Sequence, residues 1–281
     1  MLLNSYAKIN LYLYIVGKDP RDNYHLLDSV FQEVSLKDEI ELEPLQSSQD
    51  EITFENTKVE GMTTIHKAVR LFREKTGIPE HYRIRVKKNI PMGAGLGGGS
   101  SNAAAVLTGL SELHHLPLED MVPIGAKVGS DVSFFFHGGL CRVGGKGEKI
   151  FPLNKKIEGA VFLIVYPNIH VSTAWAYSLI TDYTSHTDLD DLLNSSRFNI
   201  DFLARLYYNK FQNFVFERNP DLSNAKGNLE KVLASTLSFM SGSGSSLVFV
   251  YPNSETAVDD QAVVRGRFGY PVFVCDPLYR K

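Results

Sequence analysis

The run Pro91-Met92-Gly93-Ala94-Gly95-Leu96-Gly97-Gly98-Gly99-Ser100-Ser101 restricts the folding of this chain more than any other segment. Five of the seven residues from 93 to 99 are glycine. The run joins a strand pattern, Tyr82 to Lys87, to an Ala- and Leu-rich helix pattern, Asn102 to Leu113. Glycine reaches positive φ and lets backbone approach a ligand closely. The first N–H groups of a helix lack intrahelical partners and carry partial positive charge. Strand, glycine loop and helix start together make a site for phosphate oxygens. The loop lacks the lysine of GxxxxGK[ST], and its glycines are too dense for GxGxxG. A flexible surface turn is the competing reading, since Gly and Ser favour turns too; the ordered flanks weigh against it.

The surrounding pattern is first β-rich. Tyr6 to Val16, Leu26 to Val34, Glu39 to Glu43 and Ile52 to Glu55 read as strands. Thr63 and Thr64 open a helix with Ile65, Ala68, Val69 and Phe72 on one face, ended by Gly77-Ile78-Pro79. A helix near Leu118 to Val128 precedes Gly129-Ser130-Asp131, an apolar run, and short strands reaching Phe151 with a turn at Gly144 to Gly147. A second alternation starts at Val161. It runs through helices near Thr173 to Thr181 and Leu222 to Phe239, the turn Ser241-Gly242-Ser243-Gly244-Ser245, then strand, helix, strand. This predicts an α/β (α+β) chain in two domains, 1–154 and 155–281. A length of 281 residues accommodates both, and 43% apolar content supports a core without disulfides or metals.

Lys plus Arg number 29 against 32 Asp plus Glu, a net charge of −3 with no long single-sign run, so no nucleic-acid or membrane partner is expected. No apolar stretch approaches the roughly 20 residues of a membrane span. Met1 to Lys8 lacks the basic start of a signal peptide, and a cytoplasmic chain is expected. Cys141 and Cys275 lie far apart and read as free thiols, and no histidine spacing suggests a structural metal.

Three polar sites stand out. Asp131 borders Val132-Ser133-Phe134-Phe135-Phe136, where a carboxylate is either a solvated cap or turn residue or the partner of a buried cation. Lys8, between Ala7 and Ile9, reads locally as an outward-facing edge charge. Tyr24-His25 offers an aromatic ring beside an imidazole, able to stack on a base-like group or simply to begin a half-buried strand.

The glycine run resembles the ATP-phosphate loop of the GHMP kinases, the superfamily of galactokinase, homoserine, mevalonate and phosphomevalonate kinases. Ala7-Lys8-Ile9-Asn10-Leu11, Asp22-Asn23-Tyr24-His25, Gly129-Ser130-Asp131-Val132 and Val171-Ser172-Thr173-Ala174 extend the resemblance, in order, over nearly the whole chain. Together they resemble the branch that phosphorylates a cytidine-diphosphate-linked sugar alcohol. The resemblance implies a two-domain GHMP kinase fold. Its N-terminal ATP-binding domain would contain a left-handed βαβ unit, against the usual right-handed rule, and a C-terminal substrate-binding domain would complete the cleft. ATP and Mg²⁺ are the implied cofactors and CDP-linked methylerythritol the implied substrate, on a monomer or homodimer.

Carried over position by position, Asp131 takes the catalytic carboxylate's place and Lys8 that of its partner lysine. Pro91 through Ser101 hold ATP, Tyr24 and His25 recognise cytosine, Asn10 and Thr173 line the substrate site, and Gly242 to Ser245 form a third glycine motif. No residue is assigned to the metal. Asn23 stands where the family has Gly, and because Asn tolerates positive φ the same turn is expected. Ser130 and Ser133 stand where Ala and Pro are common, and Thr64 where Asn begins the helix near the adenine pocket. Gln212 to Phe216 receive no role. A homoserine- or mevalonate-type kinase, or a non-catalytic nucleotide-binding protein, are the alternatives; Tyr24-His25 argues against the former and Lys8 with Asp131 against both.

Overall fold

The computed structural model describes residues 1–59, 61–183, 189–195 and 197–280. Two long strands, β1 (Leu2–Lys18) and β2 (His25–Leu45), pair antiparallel and form the spine of the larger sheet. β2 unites the two strands expected at Leu26 to Val34 and Glu39 to Glu43. The polar stretch between them stays in the ladder because Lys37 and Asp38 pair with Tyr6 and Ser5. β3 (Glu51–Glu55), α1 (Thr64–Thr76) and β4 (His81–Lys87) form a strand–helix–strand unit with β3 and β4 parallel. Thr63 caps α1 by accepting from the His66 N–H, and Gly77 ends it at φ +72.

α2 (Gly98–Leu113) follows the glycine loop and lays Ala103, Val106, Leu107 and Leu110 into the core against β1 and α1. The helix expected from Leu118 is a short 3₁₀ turn, Leu118–Asp120, followed by α3 (Val122–Val128). The apolar run after Asp131 is α4 (Val132–His137), and β5 (Leu140–Gly145) and β6 (Lys149–Pro152) form a hairpin against β2.

Beyond it come β7 (Val161–Val165), α5 (Thr173–Ser178), α6 (Leu189–Leu193), α7 (Ile200–Leu206), the two-residue β8 (Tyr208–Asn209), α8 (Lys210–Arg218) and α9 (Pro220–Glu230). β9 (Leu237–Met240), β10 (Leu247–Tyr251), α10 (Ser254–Phe268) and β11 (Val272–Cys275) complete the chain's regular elements. The helix expected over Leu222 to Phe239 thus stops at Glu230. Phe239 and Met240 go instead into β9, where pairing with β10 buries both. The smaller sheet has the order β11-β7-β10-β9. β8, from the second half of the chain, joins the first sheet beside Tyr12 and Leu13 of β1. Among the described residues no helix is long and apolar enough to cross a membrane.

β1 is buried along most of its length, and the edge it turns away from β2 is where the site forms. The Lys8 N–H donates to the Leu96 carbonyl at 3.0 Å, and the Asn10 N–H donates to Ser241 Oγ at 3.3 Å. Both glycine-rich loops therefore dock on one strand edge and satisfy its backbone donors.

Candidate active site

Lys8 is 4% exposed, so the reading of it as an outward edge charge is overturned: the glycine loop covers the strand edge there. A buried ammonium needs partners. Its Nζ donates to Asn10 Oδ1 at 2.6 Å, lies 3.5 Å from Asp131 Oδ2 and sits 4.5 Å above the Phe31 ring. Asp131 occupies the N-cap position of α4, yet its carboxylate makes no capping hydrogen bond. It stays 29% exposed and faces Lys8 instead. Asn10 is held in turn by its Nδ2 donating to Ser29 Oγ at 3.2 Å.

Above this pair lies a cleft of about 520 Å³ lined by Pro91 to Ser100, Lys8, Asn10, Asp131, Thr173, Gly242 and Ser243. Gly93, Gly95 and Gly97 all adopt positive φ. Gly97 is the N-cap of α2 and supplies no side-chain cap, which leaves the first-turn amides to an anion. A Cβ on Gly97 would crowd Phe135 at 2.9 Å and the Lys8 stem at 3.1 Å, so the loop packs directly over the ion pair. The second glycine loop closes the cleft: Ser246 N–H donates to the Ala94 carbonyl at 3.1 Å, and Thr173 and Ser243 share a hydroxyl hydrogen bond at 3.0 Å. Ser101 turns from the cleft, its Oγ accepting from Ser5 at 2.8 Å.

Asp38, fully buried, is a residue sequence reasoning missed. It accepts from Lys88 Nζ, from Asn102 Nδ2 at 2.8 Å, and from the backbone N–H groups of Asn89 and Ile90 at 2.7 and 2.8 Å. This network fixes the entry to the glycine loop and the first turns of α2. A signal was present: in Leu36-Lys37-Asp38-Glu39-Ile40, alternation puts Asp38 on the apolar face with Leu36 and Ile40.

A second pocket of about 330 Å³ adjoins the first and is lined by Asp22, Asn23, Tyr24, His25, Ser130, Lys146 and Tyr177; Ser130 and Tyr177 line both. Tyr24 is 61% exposed, its ring open to a ligand, with Lys146 Nζ 5.6 Å from its centroid. His25 packs against Tyr177 with centroids 5.0 Å apart, and burial together with Lys18 lowers its pKa. Tyr177 was also missed, although it lies four residues after Thr173 on the same helix face. Burial and the nearby Asp131 carboxylate push its hydroxyl well above the ordinary phenol value.

The loop before His25 is held by charge. Lys146 Nζ bridges Asp22 and, at 3.0 Å, Asp19, while hydrogen bonds from Arg21 hold the Asp19 carboxyl far below its usual range. Asn23 adopts φ +60, as expected of a residue standing in for glycine. Asn23→Ala should therefore lose about 1 kcal/mol of stability and Asn23→Gly almost none, as read by urea denaturation.

Residues 63–139 match the family model for the GHMP kinases N terminal domain. The chain is 37% identical over 257 residues to the 4-diphosphocytidyl-2-C-methyl-D-erythritol kinase of Thermotoga petrophila, spanning 90% of this chain and 93% of that protein. It is 33% identical over 277 residues to the kinase of the same name from Clostridium perfringens, spanning 96% and 95%. A crystal structure of 4-(cytidine 5'-diphospho)-2C-methyl-D-erythritol kinase superposes with a TM-score of 0.79 at 28% identity over 98% of both chains. Homoserine kinase from Cytophaga hutchinsonii shares the fold, with a TM-score of 0.66 at 15% identity over 98% of this chain and 95% of that one. An uncapped helix start beneath a glycine loop, set over a Lys–Asp pair on this α/β fold, defines a small-molecule kinase of the GHMP class. Within that class, the chain belongs to the family of 4-diphosphocytidyl-2-C-methyl-D-erythritol kinases.

Proposed function

We propose that this chain transfers the γ-phosphoryl group of ATP to the 2-hydroxyl of 4-diphosphocytidyl-2-C-methyl-D-erythritol, giving the 2-phosphate and ADP, in non-mevalonate isoprenoid precursor biosynthesis. The observation that carries this reading is the position of Asp131. It lines the cleft under the glycine loop, next to Ser130, which lines both that cleft and the aromatic pocket.

The roles follow from that placement. The α2 amides and the loop Pro91 to Ser100 hold the triphosphate. Tyr24 and Tyr177 offer ring faces to cytosine and His25 offers hydrogen bonds to its edge, while Asn10 and Thr173 line the path to the reacting hydroxyl. An alcohol is about as weak an acid as water, near 15.7. An ordinary carboxylate cannot remove its proton early. Asp131 therefore orients the hydroxyl and accepts its proton late, as the oxygen bonds to phosphorus and the bond to the ADP oxygen breaks. Positioning and charge neutralisation supply most of the rate. Lys8 aims the carboxylate.

No group of three or more metal-binding side chains occurs among the described residues. Asp131 is the one carboxylate among the described residues lining the cleft, and Ser100 lines it too. This sparse donor set fits Mg²⁺ carried mainly by phosphate oxygens and water, with Ser100 and Asp131 the side chains within reach. When bound, the ion supplies charge neutralisation at the phosphates. Division at 154/155 into an ATP-binding part and a part that completes the substrate cleft belongs to the same proposal. So does a cytoplasmic location, which the buried free thiols Cys141 and Cys275 suit.

The test is ADP release by purified protein with ATP, Mg²⁺ and 4-diphosphocytidyl-2-C-methyl-D-erythritol, beside mevalonate, homoserine and galactose. Turnover confined to the cytidyl substrate is expected; turnover of another acceptor alone would overturn the assignment. Specificity is read by exchanging cytosine for uracil. A site built to pair the cytosine edge should reject the uridyl analogue by on the order of 10²-fold or more in kcat/KM, and His25→Ala should shrink that ratio. Equal kcat/KM for both analogues in the wild type would remove His25 from base recognition.

A further inference from the structure

After β11 the chain leaves the smaller sheet and crosses back over the larger one. Ser35 N–H donates to the Asp276 carbonyl at 2.9 Å and Leu278 N–H to the Glu33 carbonyl at 2.8 Å, with Val34 and Pro277 forming a bridge. Gln32 Nε2 donates to the Leu278 carbonyl at 2.8 Å. This strap delivers Arg280 to Glu33, a carboxylate only 1% exposed. Arg280 Nε donates to Glu33 Oε2 at 3.0 Å, a second nitrogen pairs with Oε1, and the third donates to the Phe135 carbonyl at 3.2 Å. Glu33 Oε2 also accepts the Gly139 N–H at 3.0 Å. Gly138, at φ +64, leaves no room for a Cβ, which would overlap both the guanidinium and the carboxylate.

These contacts gather at one end of α4, and Asp131 stands at the other. The helix has six residues, a length of about 9 Å, so a shift at Phe135 and Gly139 is carried to Asp131 almost undiminished. Glu33 is also the ladder partner of Lys8. Directly opposed residues of an antiparallel pair share a face. The two ion pairs thus start from neighbouring positions of the ladder and meet through α4: Glu33 binds Arg280, Arg280 binds the end of α4, and α4 carries Asp131 to Lys8.

We propose that Arg280 is a positioning residue for phosphoryl transfer. It neutralises Glu33 and holds α4 at the height that sets Asp131 against Lys8. Without it, Glu33 is a buried carboxylate with no cation of its own on the ladder face it shares with Lys8, and it competes with Asp131 for the ammonium. The link to phosphoryl transfer rests on the function proposed above; the link to α4 does not.

Steady-state kinetics and amide hydrogen exchange on Arg280→Ala, Arg280→Lys and the double variant Glu33→Gln/Arg280→Ala test this. Arg280→Ala should lower kcat by on the order of 10- to 100-fold, the scale of a small misplacement of a reacting group. Both KM values should stay within about twofold. Exchange at Gly139 and Gly138 should rise by about tenfold or more. Lys should restore part of kcat. The double variant, which lacks the competing carboxylate and avoids a buried unpaired charge, should exceed Arg280→Ala by about fivefold and remain folded. Unchanged kcat in Arg280→Ala, or a double variant no faster than the single one, would overturn the role. Exchange reads the strap even if the wild type phosphorylates no acceptor: that silence would defeat the kinase reading, and unchanged exchange at Gly139 in Arg280→Ala would defeat the strap.

Discussion

Asp131→Asn should lower kcat by on the order of 10²- to 10⁴-fold, with KM for ATP and for the cytidyl substrate changed by less than about threefold. Asn keeps the volume of Asp and can still hydrogen-bond the incoming hydroxyl, so binding survives. What it cannot do is take the proton that the new phosphate ester must shed. Asp131 makes no capping bond to α4, so the helix start is untouched. Asn does leave the buried Lys8 ammonium without its countercharge, so the melting temperature should fall by a few degrees, and kcat is to be compared well below it. Lys8→Met removes the other half of the pair, and its effect on kcat should not add to that of Asp131→Asn, because the two side chains act as one unit. Steady-state kinetics on the two single variants and the double variant measure this directly. A kcat for Asp131→Asn within about threefold of the wild type would remove the carboxylate from the chemistry. Full additivity would separate Lys8 from it.

The parts of this site that were legible in the sequence are those whose signal is local. Glycine changes the backbone wherever it stands, so the loop at 93 to 99 and its neighbour at 242 to 244 announced themselves, and the strand and helix flanking the first were equally plain. Lys8 and Asp131 were ambiguous because each local pattern fits a solvated charge. The partner that changes the reading comes from across the fold. The resemblance to the GHMP kinases supplied it, and the structure brings the two to 3.5 Å. Asp38 and Tyr177 were overlooked, although period-two and i,i+4 spacing mark them, because neither period says which face meets the cleft. The expected helix over Leu222 to Phe239 runs into β9 because Leu237 and Phe239 are apolar in either state. Only their pairing with Val250 and Val248 decides between the two. Arg280 and Glu33 lay beyond reach of any local pattern, since their contact depends on the chain crossing from one sheet to the other.

Gly95→Ala should destabilise the protein by about 3 kcal/mol and raise KM for ATP by about tenfold or more, while Gly77→Ala loses only about 1 kcal/mol and leaves KM for ATP unchanged. The comparison is informative because the two residues share a positive φ, +77 and +72, that an L-residue adopts only with strain. Their surroundings differ. At Gly77 nothing lies within 4 Å of an added Cβ. At Gly95 the methyl would overlap the Ser241 carbonyl oxygen and stand 2.9 Å from that of Gly244, and both are backbone atoms without a rotamer to escape through. The two glycine loops would have to part. That separation breaks the Ser246 N–H bond to the Ala94 carbonyl and the Ser241 hydroxyl bond to the Gly95 carbonyl. It also moves Leu96 off the Lys8 N–H and opens the strand edge on which Lys8 sits. Urea denaturation and ATP titration on the two variants separate strain from contact: equal losses at both positions would mean that the loops are not docked on one another in solution, whereas a loss of ATP affinity confined to Gly95→Ala would place the nucleotide over the junction where they meet.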